Sequence, residues 1–160
     1  MRRIVLTLCG LCAIAAVSGQ ATSPAIDVRA VAEVETKVGE PGREFIKLVP
    51  ANRVVPGDEV IYTLEIRNPT SHDAVMPTVV RPIPAHMAYL ADSATGPGAE
   101  VTYSVDGGLT FDVPENLEVR GADGKMRVAK SIEYTHIRWQ LRNTLKSKSV
   151  AFARFRAVVK

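Results

Sequence analysis

Three adjacent residues, Ser71-His72-Asp73, have the side-chain types of the catalytic triad of serine hydrolases. A serine nucleophile needs a histidine within about 2.6–3.2 Å that also reaches a carboxylate on its other side. Neighbouring residues of an extended or turning chain point in different directions, so direct adjacency works against this geometry. The sequence therefore predicts a polar turn here and no catalytic residue. A hydrolase is the least favoured of the functions considered.

Candidate metal ligands also lack the spacing of a metal site. The three histidines are far apart in the chain, and no Asp-x-Asp-x-Asp-Gly calcium loop is present. Aspartates beside glycine, as in Asp106-Gly107-Gly108 and Asp123-Gly124, are typical of turns, because aspartate caps the turn and glycine accepts a positive φ. The sequence predicts no metal site and no cofactor. The histidines are His72, His86 and His136.

Positive charge is concentrated in the last part of the chain. Residues 125–160 hold 10 lysines and arginines against the single acid Glu133, whereas residues 22–124 hold 8 against 16 acids. This asymmetry predicts either a basic binding face or the pairing of acidic and basic outer faces within one sandwich, and we favour the pairing. The candidate anion-binding face consists of Arg138, Arg142, Lys146, Lys148, Arg154 and Arg156.

Aromatic residues between these cations raise the question of a nucleic-acid surface. Single-strand binders combine cations with exposed aromatic rings. Trp139 alternates in phase with Ile137 and Leu141, which places it in the predicted core instead. We expect no nucleic-acid partner, and an acidic glycan or lipopolysaccharide is the ligand that such a basic face would take.

The amino terminus has the organisation of a secretory signal peptide. Met1-Arg2-Arg3 precedes an apolar run from Ile4 to Val17, and small residues follow up to Ala21. The run is shorter than the roughly 20 residues of a membrane span. We expect residues 1–21 to be removed, leaving a chain without a transmembrane span in the periplasm, on the outer surface or secreted.

Removal of this segment would also change the charge and the redox chemistry of the chain. Both cysteines, Cys9 and Cys12, lie inside it, so the mature chain is expected to form no disulfide. Arg2 and Arg3 leave with it, and the formal net charge falls from +3 to +1. The basic character of the whole chain is therefore mostly a property of its targeting segment.

The elements that must position these residues show strand periodicity. In "PGDEVIYTLEIRNPT", apolar residues at positions 60, 62, 64 and 66 alternate with outward-facing ones, between the turn Pro56-Gly57-Asp58 and the strand end at Asn68-Pro69. Alternation also predicts strands at 26–38, 45–49, 76–80, 87–90, 101–105, 109–113, 137–141 and 151–159. The first of these is one long strand or two shorter ones in line.

Many short strands separated by proline and glycine turns are typical of a β-sandwich or barrel. Two turns stand out, one at Asp106-Gly107-Gly108 that is expected to close a hairpin and one at 122–125. We predict an all-β, antiparallel sandwich formed by residues 22–160 as a single domain. Its core is predicted to contain Val60, Tyr62, Leu64, Ile66, Ile137, Trp139, Leu141 and Phe155.

The ordered motifs resemble one known family. Residues 55–63, "VPGDEVIYT", lead to Asn68 and then to "VVRPIPAHMAYLADSA" at 79–94, an arrangement similar to the conserved-repeat domain of unknown function eleven. Pro84, Tyr89 and Ser93 stand where that family has a proline, an aromatic residue and a serine. The similarity continues through residues 101–111 and 137–159. Arg81 replaces the family's usual aspartate, so a role resting on that carboxylate, ion binding included, is not carried over.

The resemblance implies an immunoglobulin-like β-sandwich of exported or cell-surface bacterial proteins, without catalytic activity. In that family such domains often repeat as stalk or adhesive modules, whereas the sequence here holds one copy. We therefore expect a non-catalytic structural or protein-interaction module of the cell envelope. Its partner is an envelope protein or another copy, whose sheet edge the first strand could join. The alternative is a carbohydrate- or anion-binding module that uses the basic face.

Overall fold

The structure is a computed structural model that describes residues 26–160. The expected signal peptide, residues 1–21, lies outside the described residues, and its cleavage stays a prediction.

The described chain is all-β, and every strand pairing is antiparallel. A five-stranded sheet has the order β2-β1-β3-β10-β5, a three-stranded sheet has the order β4-β9-β6, and β7 and β8 form a small hairpin. The strands are β1 Asp27–Val38, β2 Phe45–Pro50, β3 Glu59–Arg67, β4 Thr78–Pro82, β5 Met87–Tyr89, β6 Ala99–Ser104, β7 Glu118–Arg120, β8 Met126–Val128, β9 His136–Leu141 and β10 Val150–Val159.

Aromatic rings join the two large sheets at their middle strands. Phe155 of β10 stacks on Tyr62 of β3, with ring centroids 4.8 Å apart, and meets Trp139 of β9 at 6.1 Å. Trp139 is fully buried, with 0% of its surface exposed. Gly96 lies so close to the indole that an added Cβ would stand 3.1 Å from Cδ1. The sheets therefore form a sandwich, as predicted.

A second aromatic cluster joins the sheets near one end. The hydroxyls of Tyr89 in β5 and Tyr103 in β6 are 2.9 Å apart, and Tyr134 packs against both rings. Burial, together with the hydrogen bond to Tyr89, holds the pKa of Tyr103 well above its usual value. Tyr103 therefore stays neutral, and the cluster adds apolar area to the sheet interface.

The strand order differs from that of an immunoglobulin constant domain in one respect. There the sheets run first-second-fifth-fourth and third-sixth-seventh in chain order. When β2 and the β7–β8 hairpin are left out, seven strands remain and can be numbered first to seventh in chain order. The larger sheet then runs first-second-seventh-fourth and the smaller sheet runs third-sixth-fifth. The immunoglobulin-like architecture is present, but the fifth and last strands have exchanged places. The last strand is consequently an inner strand of the larger sheet, between β3 and β5.

Seven of the eight predicted core residues are buried, and Tyr62 is half-buried against Phe155. Ile61 was predicted to face outward with the polar residues of β3, yet only 1% of it is exposed. The alternation is intact, since Ile61 does lie on the outer face, opposite Glu33 and Arg156. Long charged side chains on that face cover it.

The predicted strand at 109–113 is wrong. The chain there makes a single bridge, between Tyr103 and Asp112, instead of a hairpin. The Asp106 carboxylate accepts hydrogen bonds from the backbone N–H groups of Leu109 and Thr110, which closes a local loop in place of a strand. The sequence analysis also missed β7 and β8, the strands on either side of the turn that it placed at 122–125.

The first strand is continuous and is shared by two partners. β1 pairs with β3 from Asp27 to Glu33, and with β2 from Glu33 to Val38. Residues 34–49, the hairpin arm, thus form the edge of the larger sheet, and within residues 26–160 no strand other than β1 lies beside β2.

Removing the central indole should be far more costly than removing the ring beside it. We expect Trp139→Ala to lower the free energy of unfolding by about 3–5 kcal/mol, because a fully buried ring leaves a cavity. Tyr62→Ala should cost clearly less, because part of that ring faces water. Urea unfolding followed by far-UV circular dichroism measures both.

Phe152→Ala is the matched control, because more than half of Phe152 is exposed on the same sheet. Its unfolding midpoint should stay close to that of the unsubstituted protein. Equal losses in the three variants would contradict the placement of Trp139 as the central packing residue.

Candidate interaction surfaces

The outer edge of β2 presents unpaired backbone groups. Ala51 donates its N–H to the carbonyl of Ala32, 3.0 Å away, in the same register as the β1–β2 ladder. Backbone groups alternate in direction along a strand, so those of residues 45, 47 and 49 face β1. The N–H and C=O groups of Ile46 and Leu48 face away from it. No described residue pairs with them across this edge.

Two large apolar side chains stand beside this edge. Phe45 is 61% exposed and Ile46 is 63% exposed. As consecutive strand residues they lie on opposite faces of the arm. The sequence analysis predicted the strand but assigned it no interaction. The pair Phe45-Ile46 is the feature of the sequence that indicates an exposed apolar surface, because two adjacent large apolar residues in one strand cannot both point into the same core.

The remaining sheet edges are shorter or better covered. The free edge of β4 lies between Pro77 and Pro82, and a proline offers no N–H to a new strand. β6 is covered in part by the bridge from Tyr103 to Asp112. β5 has three residues. Among the described strands, β2 is the edge most open to pairing.

The six candidate basic residues lie on three different surfaces. Arg138 belongs to β9 and lies on the outer face of the smaller sheet, where Nε donates to Thr102 Oγ1 at 2.9 Å and the guanidinium stands 4.8 Å from the Phe111 ring centre. Arg154 and Arg156 lie on the outer face of the larger sheet, since Phe155 between them points inward. The other three lie in the loop before β10.

On the larger sheet, Arg156 is engaged by two carboxylates. Its guanidinium donates to Glu59 at 2.6 Å and to Glu35 at 3.1 Å, and the hydrogen bond to Glu59 raises the pKa of Arg156. Arg154 Nε donates to Thr63 Oγ1 at 3.2 Å. Acidic side chains of β1 and β3 therefore face basic side chains of β10, the pairing that the sequence analysis favoured over a basic face.

The loop at 142–149 holds the other three cations. Arg142 pairs with Glu100 at 3.3 Å, and Lys146 pairs with Asp73 at 2.8 Å. Lys148 donates to the backbone carbonyl of Pro69. Each of these side chains is exposed, so the loop carries positive charge whose partners are themselves near water.

A buried asparagine ties this loop to the turn after β3. Asn68 is 0% exposed, and its amide donates to the carbonyls of His72, at 2.8 Å, and Leu145, at 3.0 Å. Its side-chain oxygen accepts from the Thr70 hydroxyl at 2.7 Å and from the Thr70 N–H at 3.1 Å. Every polar atom of the side chain is used, so the residue joins two loops that are far apart in the chain.

The Ser71-His72-Asp73 sequence belongs to this same turn. Ser71 Oγ lies 3.3 Å from His72 Nδ1. The Asp73 carboxylate instead accepts from Lys146 Nζ and from the Ser147 N–H, both at 2.8 Å, and these bonds lower its pKa. These three side chains therefore do not form a serine–histidine–aspartate relay, and Asp73 joins the turn to the loop at 142–149.

The motif residues of the family resemblance have structural contacts. The carbonyl of Pro84 accepts from the N–H of Met87. The Tyr89 hydroxyl accepts from the Ala94 N–H at 3.0 Å, and Ser93 Oγ accepts from the Arg156 N–H at 3.0 Å. They hold the segment after β5 against β10. Arg81 lies in β4 opposite Ile137 and is half-buried.

The aspartates at turns accept hydrogen bonds from their own loops. Asp58 accepts from the Val55 N–H at 2.9 Å, and Asp123 accepts from the Lys125 N–H at 3.1 Å. Hydrogen bonds from Ser104 and Thr110 hold the pKa of Asp106 well below its usual range. Between residues 26 and 160 no three potential metal-ligating side chains come together.

The segment between β6 and β9 is held by one bidentate ion pair. Arg127 of β8 donates two hydrogen bonds of 2.7 Å to Glu133, in the 3-10 turn Ser131–Glu133. The Glu133 carboxylate also accepts from the Lys130 N–H at 2.8 Å. These hydrogen bonds, chiefly the two from Arg127, lower the pKa of Glu133 from 4.5 to about 2.

Comparison with family models, with curated proteins and with solved structures finds no match to this chain. No helix in the described part of the chain has the length and apolar character needed to cross a membrane.

The hydrogen bonds of the Asn68 side chain should contribute to the free energy of unfolding. We expect Asn68→Ala to lower the free energy of unfolding by about 2–4 kcal/mol, because it removes four hydrogen bonds of a buried side chain and leaves the Thr70 N–H without its acceptor. Asn52→Ala, at an exposed position whose side chain makes no hydrogen bond within the described residues, serves as the control. Equal unfolding midpoints for the two variants would show that the tie contributes nothing.

The Glu133 ion pair should make stability fall in acid. Because the folded pKa is below that of the unfolded chain, the ionised carboxylate stabilises the fold above pH 4.5, and this contribution is lost as the pH falls from 4.5 to about 2. Glu133→Gln should lower the urea midpoint at pH 7 and differ less from the unsubstituted protein at pH 2.

Glu118→Gln is the matched control for this measurement, because Glu118 is exposed in β7 and forms no ion pair within the described residues. Its midpoint should follow that of the unsubstituted protein at both pH values. A loss for Glu133→Gln that is the same at pH 7 and pH 2 would contradict the assignment to the ionised form.

Proposed function

We propose that this protein is an exported, non-catalytic structural or protein-interaction module of the bacterial cell envelope. The observation that carries the proposal is the open edge of β2. There the backbone groups of Ile46 and Leu48 have no partner among the described residues and stand beside the exposed side chains of Phe45 and Ile46. A sheet edge of this kind binds an added strand through main-chain hydrogen bonds, and neighbouring apolar side chains provide selectivity.

The way the polar side chains are used supports the same function. Asn68 and Asp73 connect loops, Asp106 closes its own loop, and Glu59 with Arg156 covers the outer face of the larger sheet. These groups contribute to the rigidity of the sandwich. A rigid sandwich is suited to presenting an edge in a fixed position.

Export rests on the sequence of residues 1–21. Its charged start, apolar run and small residues are the features of a secretory signal. The resemblance to a domain family of exported and cell-surface bacterial proteins agrees with that destination.

A second candidate function is binding of an anionic glycan or lipopolysaccharide. The observation that favours it is the loop at 142–149, which exposes Arg142, Lys146 and Lys148 together. Arg142 forms an ion pair with Glu100, and Lys146 forms one with Asp73. An anionic ligand would therefore compete with these carboxylates. Such binding would weaken as the salt concentration rises.

Cell fractionation and capture from envelope extract test both functions. We expect the protein in the extracytoplasmic fraction, with an intact mass that corresponds to cleavage near Ala21. Immobilised protein should retain envelope material, and Ile46→Lys should abolish that retention while Met126→Lys, at a similarly exposed strand position, leaves it unchanged.

Other results for location or retention would contradict the first function or both functions. A full-length protein in the cytoplasm would overturn the proposed location. Retention that is insensitive to Ile46→Lys but is lost in high salt, and in a variant with Gln at 142, 146 and 148, would replace the first function by the second. No retention under either condition would contradict both.

A further inference from the structure

We propose that the open edge of β2 pairs with β2 of a second copy of this chain, antiparallel and in the register that places Ile46 opposite Ile46. This inference rests on the proposed function and names the partner of the same edge. Such a contact uses one surface patch twice about a two-fold axis, as in most symmetric dimers. It would join two five-stranded sheets into one of ten strands.

The direction of the backbone groups limits the registers. Only Ile46 and Leu48 direct both their N–H and C=O groups outward within β2, since Pro50 has no N–H and its carbonyl accepts from Asn52 at 2.8 Å. Two-fold pairing must therefore centre on Ile46, Lys47 or Leu48. A centre at Leu48 would oppose Ile46 to Pro50 and lose a donor on each side.

Charge decides between the two remaining registers. A centre at Lys47 places the two lysines directly opposite each other, and like charges in that position are destabilising. A centre at Ile46 opposes the two isoleucines and places Lys47 of each copy opposite Phe45 of the other. Leu48 then lies opposite Glu44, the residue just before β2. An ammonium beside an aromatic ring is a favourable pair. The exposed residues of β2 are thus complementary to themselves in one register.

The arm supplies further apolar contact in that register. Phe45 is paired with Val38 in its own chain, so the second copy's Lys47 would extend over an apolar pair. On the other face Lys37 lies beside Ile46. Ile46→Lys would therefore place four lysines in one row across the dimer, namely Lys37 and the introduced lysine of each copy. This makes Ile46→Lys a sharper test than removal of the side chain.

Sedimentation velocity of the purified protein over a range of concentrations is the test. We expect a reversible dimer, and we expect Ile46→Lys to raise its dissociation constant by about tenfold or more. Met126→Lys introduces the same charge at an exposed position in β8 and should leave the dimer unchanged. Circular dichroism of the two variants shows whether each is folded.

Cysteine cross-linking tests the register. In the proposed pairing the Cα atoms of the two residues 46 lie about 5.5 Å apart, within the range that a disulfide can span. Ile46→Cys should form a covalent dimer on mild oxidation. Lys47→Cys should form much less, because residue 47 faces residue 45 of the second copy. The unsubstituted protein under the same oxidation sets the baseline.

The outcomes separate this inference from the proposed function. A protein that is monomeric at every concentration, or a dimer that Ile46→Lys does not weaken, would overturn the self-pairing. A monomer that still captures envelope material through Ile46 would leave the proposed function standing with a different strand as partner. Preferential cross-linking by Lys47→Cys would overturn the register.

Discussion

The contact of Phe155 with Tyr62 and Trp139 is the constraint on which the rest of the structure depends. Phe155 lies in β10, an inner strand of the larger sheet beside its central strand β3, and Trp139 lies in β9, at the centre of the smaller one. Because the last strand of the chain supplies the central contact, β3 and β5 are joined only through it. The sandwich therefore cannot be completed until the carboxyl end of the chain is in place.

The position of β10 also organises the polar groups at the surface. Its outward arginines lie beside the acidic residues of β1 and β3, and its inward residues close the core. The loop that leads into it is tied to the turn after β3 by Asn68 and Asp73. With these groups engaged, β2 is the edge most open to pairing among the described strands, and the arm that carries it is anchored through β1.

Sequence reasoning succeeded where one residue pattern had one structural outcome. Alternation in β3, β9 and β10 placed Leu64, Trp139 and Phe155 in the core, because period two allows only two faces and the apolar set marks the inner one. It failed where side-chain contacts that strand periodicity does not describe decided the outcome. Ile61 is buried by side chains of neighbouring strands, and the Asp106 carboxylate closes a loop where a strand was predicted.

The sequence by itself determined the all-β class, most strand positions and the inner face of the central strands, because these follow from local periodicity and turn residues. The tertiary structure alone decided which strands are neighbours, because any antiparallel strand of suitable length can pair with another until long-range packing selects one. It therefore put Arg138 on a different face from Arg156, and it placed β10 inside the larger sheet and β2 at its edge. The candidate interaction edge exists for that reason.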